Sequence, residues 1–374
     1  MSRLLAIALK EIRQLRRDRL TVAMMVVIPV IQLLLFGWAI NTDVRHMPTV
    51  VFDQDHTAAS RDLPTRMEAT GYYDVVGQVS SYEEIEVALR RGEAKVALVI
   101  PVEFGSSLEV GKSTSVQLVL DGSDPMTVGS ASNTAASLAA SRSIDIQLQR
   151  LAAAGSRPQQ AGFSVEPTIW YNPELRTAVY IVPGIVGVIL TMTMVMLTAM
   201  AVARERERGT LEALIVSPSR RIEIVGGKIL PYIVIGYVQM TLILGAGWWV
   251  FDVPLSGSFA LLYLCTLPFI SANLALGLVF STVSKTQQQA MQMSFFFLLP
   301  NILLSGFMFP FEGMPVAAQW LAQALPLTHF LRIVRRITLM GATWPDLMPE
   351  MVWLSVLLLV LIVVAAARFK KKLI

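Results

Sequence analysis

Arg204-Glu205-Arg206-Glu207-Arg208-Gly209-Thr210-Leu211-Glu212-Ala213-Leu214 is a run of alternating charge set between two long apolar stretches. Charged groups do not stay in hydrocarbon, so the run must lie in water or against a partner at a membrane edge. Leu211, Leu214 and Ile215 follow at helical spacing, with Glu212 on another face, which predicts a short amphipathic helix. Such an element, joined directly to two membrane spans, can take a push from a soluble protein and pass it inward.

The surrounding chain has the composition of a membrane protein. Of its 374 residues 54% are hydrophobic and 16% charged, and the mean hydropathy is +0.57, too apolar for an ordinary soluble domain. An apolar run of about 20 residues crosses a bilayer. Six segments fit, at 20–40, 177–203, 229–251, 259–283, 290–309 and 351–367. The first follows basic residues as a signal peptide would, but it lacks a small-residue cleavage site and is too long, so it reads as a retained span. Arg3, Lys10, Arg13, Arg16, Arg17 and Arg19 precede it, Arg220, Arg221 and Lys228 lie in the 204–228 loop, and Lys370, Lys371 and Lys372 end the chain. The positive-inside rule therefore places both termini and that loop in the cytoplasm. Arg332, Arg335 and Arg336 dissent, because this topology leaves them outside. Leu4, Ala8, Ile12 and Leu15 make one stripe over 1–19, the pattern of an interfacial helix lying among lipid headgroups or of a plain topology signal.

The net charge of +4 is thus topogenic and gives no reason to expect a nucleic-acid partner. The segment from Asp43 to Arg176 is acidic instead, with 17 Asp and Glu against 11 Lys and Arg, a formal −6 before histidines. Residues 41–176 read as an extracytoplasmic α/β domain. β-rich runs at 49–52, 73–76, 95–100 and 116–120 alternate with helical patterns at 81–91 and 127–153, which predicts a small sheet with helices packed on it. Ser81 followed by Glu84 is a capping box. Residues 155–167 read as a return linker, and Ile169-Trp170-Tyr171 as an interfacial anchor. Segment 310–349 reads as external re-entrant or short helices near the outer surface, before a cytoplasmic tail at 368–374.

Chemistry of the chain's own has little support. Gly111-Lys112-Ser113-Thr114 resembles the end of a phosphate-binding loop, but the motif needs a glycine where Ser106 stands, and a strand pattern follows where a helix is required. A turn before a strand is the better reading. Asp53, Asp55 and His56 read as a solvated turn, and Asp121-Gly122-Ser123-Asp124-Pro125 as a turn that caps the next helix. The lone cysteine, Cys265, excludes intrachain disulfides and cysteine-rich metal sites. The spans hold almost no ionisable residues, which disfavours a proton-driven carrier. Energy should therefore enter from outside the bilayer, at the 204–218 loop. Met192, Met194, Met196, Met200, Met291 and Met293 crowd two spans, as apolar filler or as an adaptable surface for apolar ligands.

Ala203-Arg204-Glu205-Arg206-Glu207-Arg208-Gly209-Thr210-Leu211-Glu212, Ser217-Pro218, Gly227-Lys228-Ile229-Leu230-Pro231, Trp170-Tyr171-Asn172-Pro173 and Gln287-Gln288-Gln289-Ala290 occur in this order along the chain, apart from the Trp170 motif, which precedes them. With these motifs the chain resembles, over essentially its whole length, the permease subunit of ABC-2 type transporters, in the bacterial exporter group with a large domain after the first span. The resemblance implies an α-helical polytopic protein of six transmembrane helices with an inserted α/β extracytoplasmic domain, multi-pass in the bacterial inner membrane. It implies a non-catalytic half-transporter that pairs with a second permease subunit, identical or related, among membrane lipids. A separate cytoplasmic ABC ATPase would bind ATP and Mg, so this chain would need no cofactor. Arg204, Arg206, Glu207, Gly209, Thr210 and Glu212 would be the ATPase-coupling positions, with Arg204 and Arg206 forming ion pairs across the cytoplasmic rim. The external domain would engage a periplasmic adaptor, and the cargo would be drug-like or amphipathic compounds. Rival readings are an ABC-2 permease for lipid or polymer, and a membrane-anchored receptor or interaction protein without transport.

Overall fold

The computed structural model describes residues 44–154, 162–209 and 221–368. The helix expected at 1–19, the first span at 20–40, Thr210, Glu212 and residues 369–374 lie outside the described residues.

Five strands form one sheet: β1 (Met47–Asp53), β2 (Tyr73–Gln78), β3 (Val96–Ile100), β4 (Ser113–Asp121) and β5 (Gly162–Trp170). Their order is β2-β1-β3-β4-β5. β1 runs parallel to β2 and β3, β4 antiparallel to β3, and β5 parallel to β4. The chain steps outward from β1 to β2 through α1 (Ala58–Ala69), then back across β1 to β3 through α2 (Tyr82–Arg91). Right-handed crossovers taken in opposite directions put their helices on opposite faces. Leu63 and Met67 of α1 accordingly join one core with Tyr73, Leu98 and Leu118, while Ile85 and Leu89 of α2 join the other with Val50 and Val99. β3, Val-Ala-Leu-Val-Ile, is buried at every position, as a strand covered on both faces must be.

α3 (Phe104–Val110) and α4 (Pro125–Ala154) cover the same face as α1. Val128, Ala131, Ala135 and Ala139 line α4's buried stripe, and the Tyr73 hydroxyl donates to the Ala131 carbonyl at 2.6 Å. At 1.5 Å per residue α4 is about 45 Å long, and farther along it Ile144 and Leu148 are exposed.

The strands and helices expected at 49–52, 73–76, 81–91, 95–100, 116–120 and 127–153 all form, with ends moved by a few residues. Ser81 caps α2 by accepting from the Glu84 amide, while Glu84 reaches back to the Ser80 amide. Gly111 is the left-handed cap of α3 at φ +88°, and a strand follows it. Residues 162–170 correct the sequence reading: they are the edge strand β5, not a linker. Phe163, Val165 and Ile169 alternate toward the sheet core, and Trp170 and Tyr171 pack on the opposite core beside α2. Pro167 hid the strand, yet proline is tolerated at a sheet edge.

The remaining helices are α5 (Thr177–Glu207), α6 (Arg221–Phe251), α7 (Phe259–Val283), α8 (Gln287–Leu304), α9 (Val316–Gln323), α10 (Pro326–Met340) and α11 (Trp344–Arg368). Among the described residues four helices are long and apolar enough to cross a membrane: Thr177–Glu207, Pro231–Phe251, Phe259–Val283 and Trp344–Arg368. α8 is helical but short, with Gln287, Gln288, Gln289, Gln292 and Asn301 in its 18 residues. α7 is the hub, packed against α5, α6, α10 and α11. α10 packs inside the bundle. Leu327, Phe330, Leu331, Val334 and Ile337 are buried in the bundle core, with Phe330 stacked on Phe269 of α7 at a ring separation of 4.0 Å. Its apolar face is strong enough to be drawn inward between the bundle and the α/β unit.

α5 and α7 cross at Gly277, where an added Cβ would lie 2.5 Å from the Val195 carbonyl oxygen. Backbone cannot yield as a side chain can, so Gly277→Ala should lower stability by about 1–3 kcal/mol through overpacking. Gly245 on α6 has nothing within 4 Å of a Cβ, and Gly245→Ala should be neutral or stabilising. Thermal unfolding midpoints of the two variants in one detergent check the contrast.

Candidate functional site

The far end of α5 carries the expected coupling residues. Gly209 takes φ +71°, a left-handed conformation that costs other L-residues roughly 1–2 kcal/mol. Its amide donates to the Arg206 carbonyl at 3.2 Å, and that of Arg208 to the Arg204 carbonyl at 3.0 Å. This closes the helix.

Arg204, Arg206 and Glu207 converge on the turn between α7 and α8. Arg204 Nε donates to Gln287 Oε1 at 3.1 Å, and Arg206 Nη1 donates to the Ser284 carbonyl. Both arginines reach neutral acceptors there. Glu207 accepts the Gln287 amide at 2.9 Å on one oxygen and the Gln287 side-chain amide on the other. The Gln287 amide is one of the donors a helix leaves unmet in its first turn, and a carboxylate there also suits the helix dipole. Thr286 caps the same turn by accepting from the Gln289 amide, and Gln289 reaches back to the Lys285 amide. The glutamine run therefore fastens three helix ends together. Ser284 and Gln287 were not singled out as site residues, although Thr286 with Gln289 is a readable capping box.

A second cluster lies at the other end of the bundle, beneath the α/β unit. Asp346 and Glu350 stand four residues apart on one face of α11. The Asp346 carboxylate accepts from Arg90 Nε at 3.0 Å and Arg91 Nε at 3.2 Å, both at the end of α2, and from the Thr343 amide. Glu350 accepts from Arg332 Nη1 at 3.2 Å, lies 3.7 Å from Arg336 Nη2, and contacts His329 Nδ1 at 2.6 Å. His329 Nε2 faces the Gln323 carbonyl at 2.9 Å. Both ring nitrogens thus face carboxylate or carbonyl oxygens. The basic cluster that broke the positive-inside pattern is held by tertiary contacts: Arg332 and Arg336 share Glu350, and the Arg335 guanidinium lies 4.2 Å over the Tyr180 ring.

Gly92, the left-handed cap of α2 at φ +68°, lets this junction close. A Cβ there would meet the Arg336 guanidinium at 2.2 Å. Nearby, Lys95 Nζ pairs with the fully buried Asp121 at 2.8 Å. Burial opposes the Lys95 charge, but Asp121, with Glu312 and Asp124 beyond it, holds the ammonium pKa above its ordinary value. Burial likewise opposes charge on Asp121, and Lys95 overrides it to keep the carboxyl below the usual range. Asp124 goes the other way: burial, reinforced by Glu312, raises its pKa against the pull of Lys95 and Arg335. Asp124 also caps α4, accepting from the Met126 amide and the Thr127 hydroxyl. A cavity of about 750 Å³ opens between these groups and α10. A smaller, apolar cleft of about 310 Å³ between α5 and α8 brings Met192, Met196 and Met291 together with Phe295.

A family model described as ABC-2 family transporter protein matches residues 19–367. The chain is 31% identical over 354 residues to "Probable multidrug ABC transporter permease YbhR" of Escherichia coli (strain K12), covering 94% of each chain. It is 29% identical to "Probable multidrug ABC transporter permease YbhS" of the same strain, over 91% of this chain and 89% of that one. It is 23% identical to "Inner membrane transport permease YhhJ", again from that strain, over 98% of this chain and 96% of the relative. No solved structure matches it.

Removing one partner from a buried ionic cluster leaves the others uncompensated, at a cost of roughly 3–5 kcal/mol. Glu350→Gln, which strands two arginines and a histidine, should fall in that range. Denaturant or thermal unfolding of the purified variant measures it, and a loss below 1 kcal/mol would mean the cluster does not hold the junction.

Proposed function

Because the chain belongs to the ABC-2 transporter family, we propose that it is the permease half of an exporter driven by a separate cytoplasmic ABC ATPase. The observation that carries this reading is the fastening of Arg204, Arg206 and Glu207 to Ser284 and Gln287. A force applied just beyond Gly209 acts on α5 and, through that fastening, on the α7–α8 turn together. Thr210 and Glu212 would complete the contact with the ATPase, which holds ATP and Mg between its own subunits. The chain itself carries no catalytic step.

The full topology in this proposal is six spans, with α8 as the fifth and residues 20–40 as the first, and both termini in the cytoplasm of a bacterial inner membrane. The pairing of Arg332 and Arg336 with Glu350 supports it, since these charges are satisfied within the protein and no longer argue for a cytoplasmic loop. The α/β unit then faces the periplasm, where an adaptor would meet it. Two permease subunits would pair along α5 and α8. The methionine-lined cleft on those helices suits apolar cargo of varied shape. Relatives named as multidrug permeases support drug-like or amphipathic compounds as the cargo class.

Reversing Glu207 and Glu212 to Lys together should abolish transport and the stimulation of the partner ATPase, while the protein still inserts and folds. Reconstitution with the ATPase, reading nucleotide hydrolysis and dye export, tests this. Unchanged export by the double variant would refute the coupling assignment.

A further inference from the structure

We propose that the α/β unit is a hinged body, pivoting at Tyr171–Leu175 and held against the bundle by a releasable latch, Arg90 and Arg91 on Asp346. The two neighbouring arginines at the end of α2 share one carboxylate, with Arg90 Nε on Oδ2 at 3.0 Å and Arg91 Nε on Oδ1 at 3.2 Å. Each arginine also has a second acid within its own unit. Arg90 Nη1 lies 3.4 Å from Glu86, and Arg91 Nη1 lies 3.8 Å from Glu93. Asp346 is likewise provided for on its own side, accepting from the amide and the hydroxyl of Thr343 at 3.0 and 2.8 Å. Opening the latch therefore strands neither the guanidinium groups nor the carboxylate, and stranding is what makes a buried ion pair hard to part. The Glu350 cluster lies wholly between α10 and α11 and stays closed, so the two acids of α11 have different tasks.

The connection that bears this motion is held in a conformation that side chains rarely adopt. Tyr171 and Leu175 take φ +67° and +49° between β5 and α5, and His46 takes φ +55° just before β1, where the chain enters the unit. Left-handed backbone at residues other than glycine persists only where its surroundings impose it, and hinges are short stretches at the ends of elements that absorb such changes. Asn172 imposes it here, for its side chain accepts from the Arg176 amide at 3.0 Å and donates to the Arg176 carbonyl at 3.3 Å. Tyr171 rests on Val179, Leu339 and Met340, an apolar bearing for the unit to roll on. Elsewhere the facing surfaces are not close-packed, since the cavity of about 750 Å³ keeps them apart. α5 begins at Thr177, so a displacement of α5 acts directly on the pivot. The link to α5 rests on the proposed coupling, whereas the latch stands without it.

The test uses the purified full chain with no ATPase, so its failure would leave the coupling reading untouched. Ser305 is buried on the wall of the cavity, and Ser305→Cys in a Cys265→Ala background places a single thiol there. A bulky maleimide reaches that thiol only when the unit swings away, so the labelling rate reads the open population. Asp346→Asn should raise the rate at least about tenfold, as loss of one partner from a buried ionic cluster allows. Glu86→Gln with Glu93→Gln takes away the arginines' alternative partners and should lower the rate about twofold or more, the scale of two exposed pairs. A damaged fold would speed labelling, so the fall in the second variant separates a latch from mere loosening. A thiol at Val110, exposed in the α/β unit, should label at one rate in all three backgrounds. A Ser305→Cys rate unchanged by Asp346→Asn, or one that the glutamate pair leaves alone or raises, would overturn the proposal.

Discussion

Glu350 holds its place only because three donors reach it. A carboxylate with 8% of its side chain exposed cannot keep a charge in that setting unless cations and hydrogen bonds compensate. His329, Arg332 and Arg336 all come from α10, so the compensation locks α10 along α11. One helical turn earlier Asp346 does the same for α2, through Arg90 and Arg91. The two acids lie on one face of one helix, and between them they seat the whole α/β unit on the bundle. Arg336 then leans over Gly92, where any side chain would collide with it.

Apolar runs and alternating patterns made much of this legible. Residues 259–283 form a helix with the ends that their hydropathy suggests, and Ser81 caps α2 as its spacing with Glu84 requires. Three things escaped. Pro167 broke the strand pattern of β5, although Phe163, Val165 and Ile169 alternate through it. Hydropathy alone starts the last span at residue 351, yet its helix begins at Trp344 and carries Asp346 and Glu350. In the structure those acids lie inside the helix because distant arginines neutralise them, a long-range fact that no local pattern contains. The bond between Glu207 and Gln287 spans 80 positions in sequence, and although both stand in quoted motifs, no local pattern pairs them.

α5 joins the two clusters. At 1.5 Å per residue its 31 residues extend about 46 Å, with Tyr180 and Gly184 beside Arg335 at one end and Glu207 beside Gln287 at the other. Along the way Gly187 meets Leu327 and Phe330 of α10, and Val195 and Thr198 meet Gly277 of α7. Close-packed contacts of this kind transmit displacement with little give. A movement at the charged end therefore has a stiff route to the junction beneath the α/β unit, and the reverse holds as well.

The outer rim of the sheet has a quieter property. The Trp170 carbonyl points back to Gly122, so the alternate residues of β5 at 163, 165, 167 and 169 turn their backbone groups to the open side. Ser143 of α4 already satisfies both the amide and the carbonyl of Phe163, and Pro167 has no amide hydrogen to give. A stray chain seeking to extend the sheet there would meet an interrupted ladder. Interruptions of this kind are one way that sheet edges resist pairing with another chain.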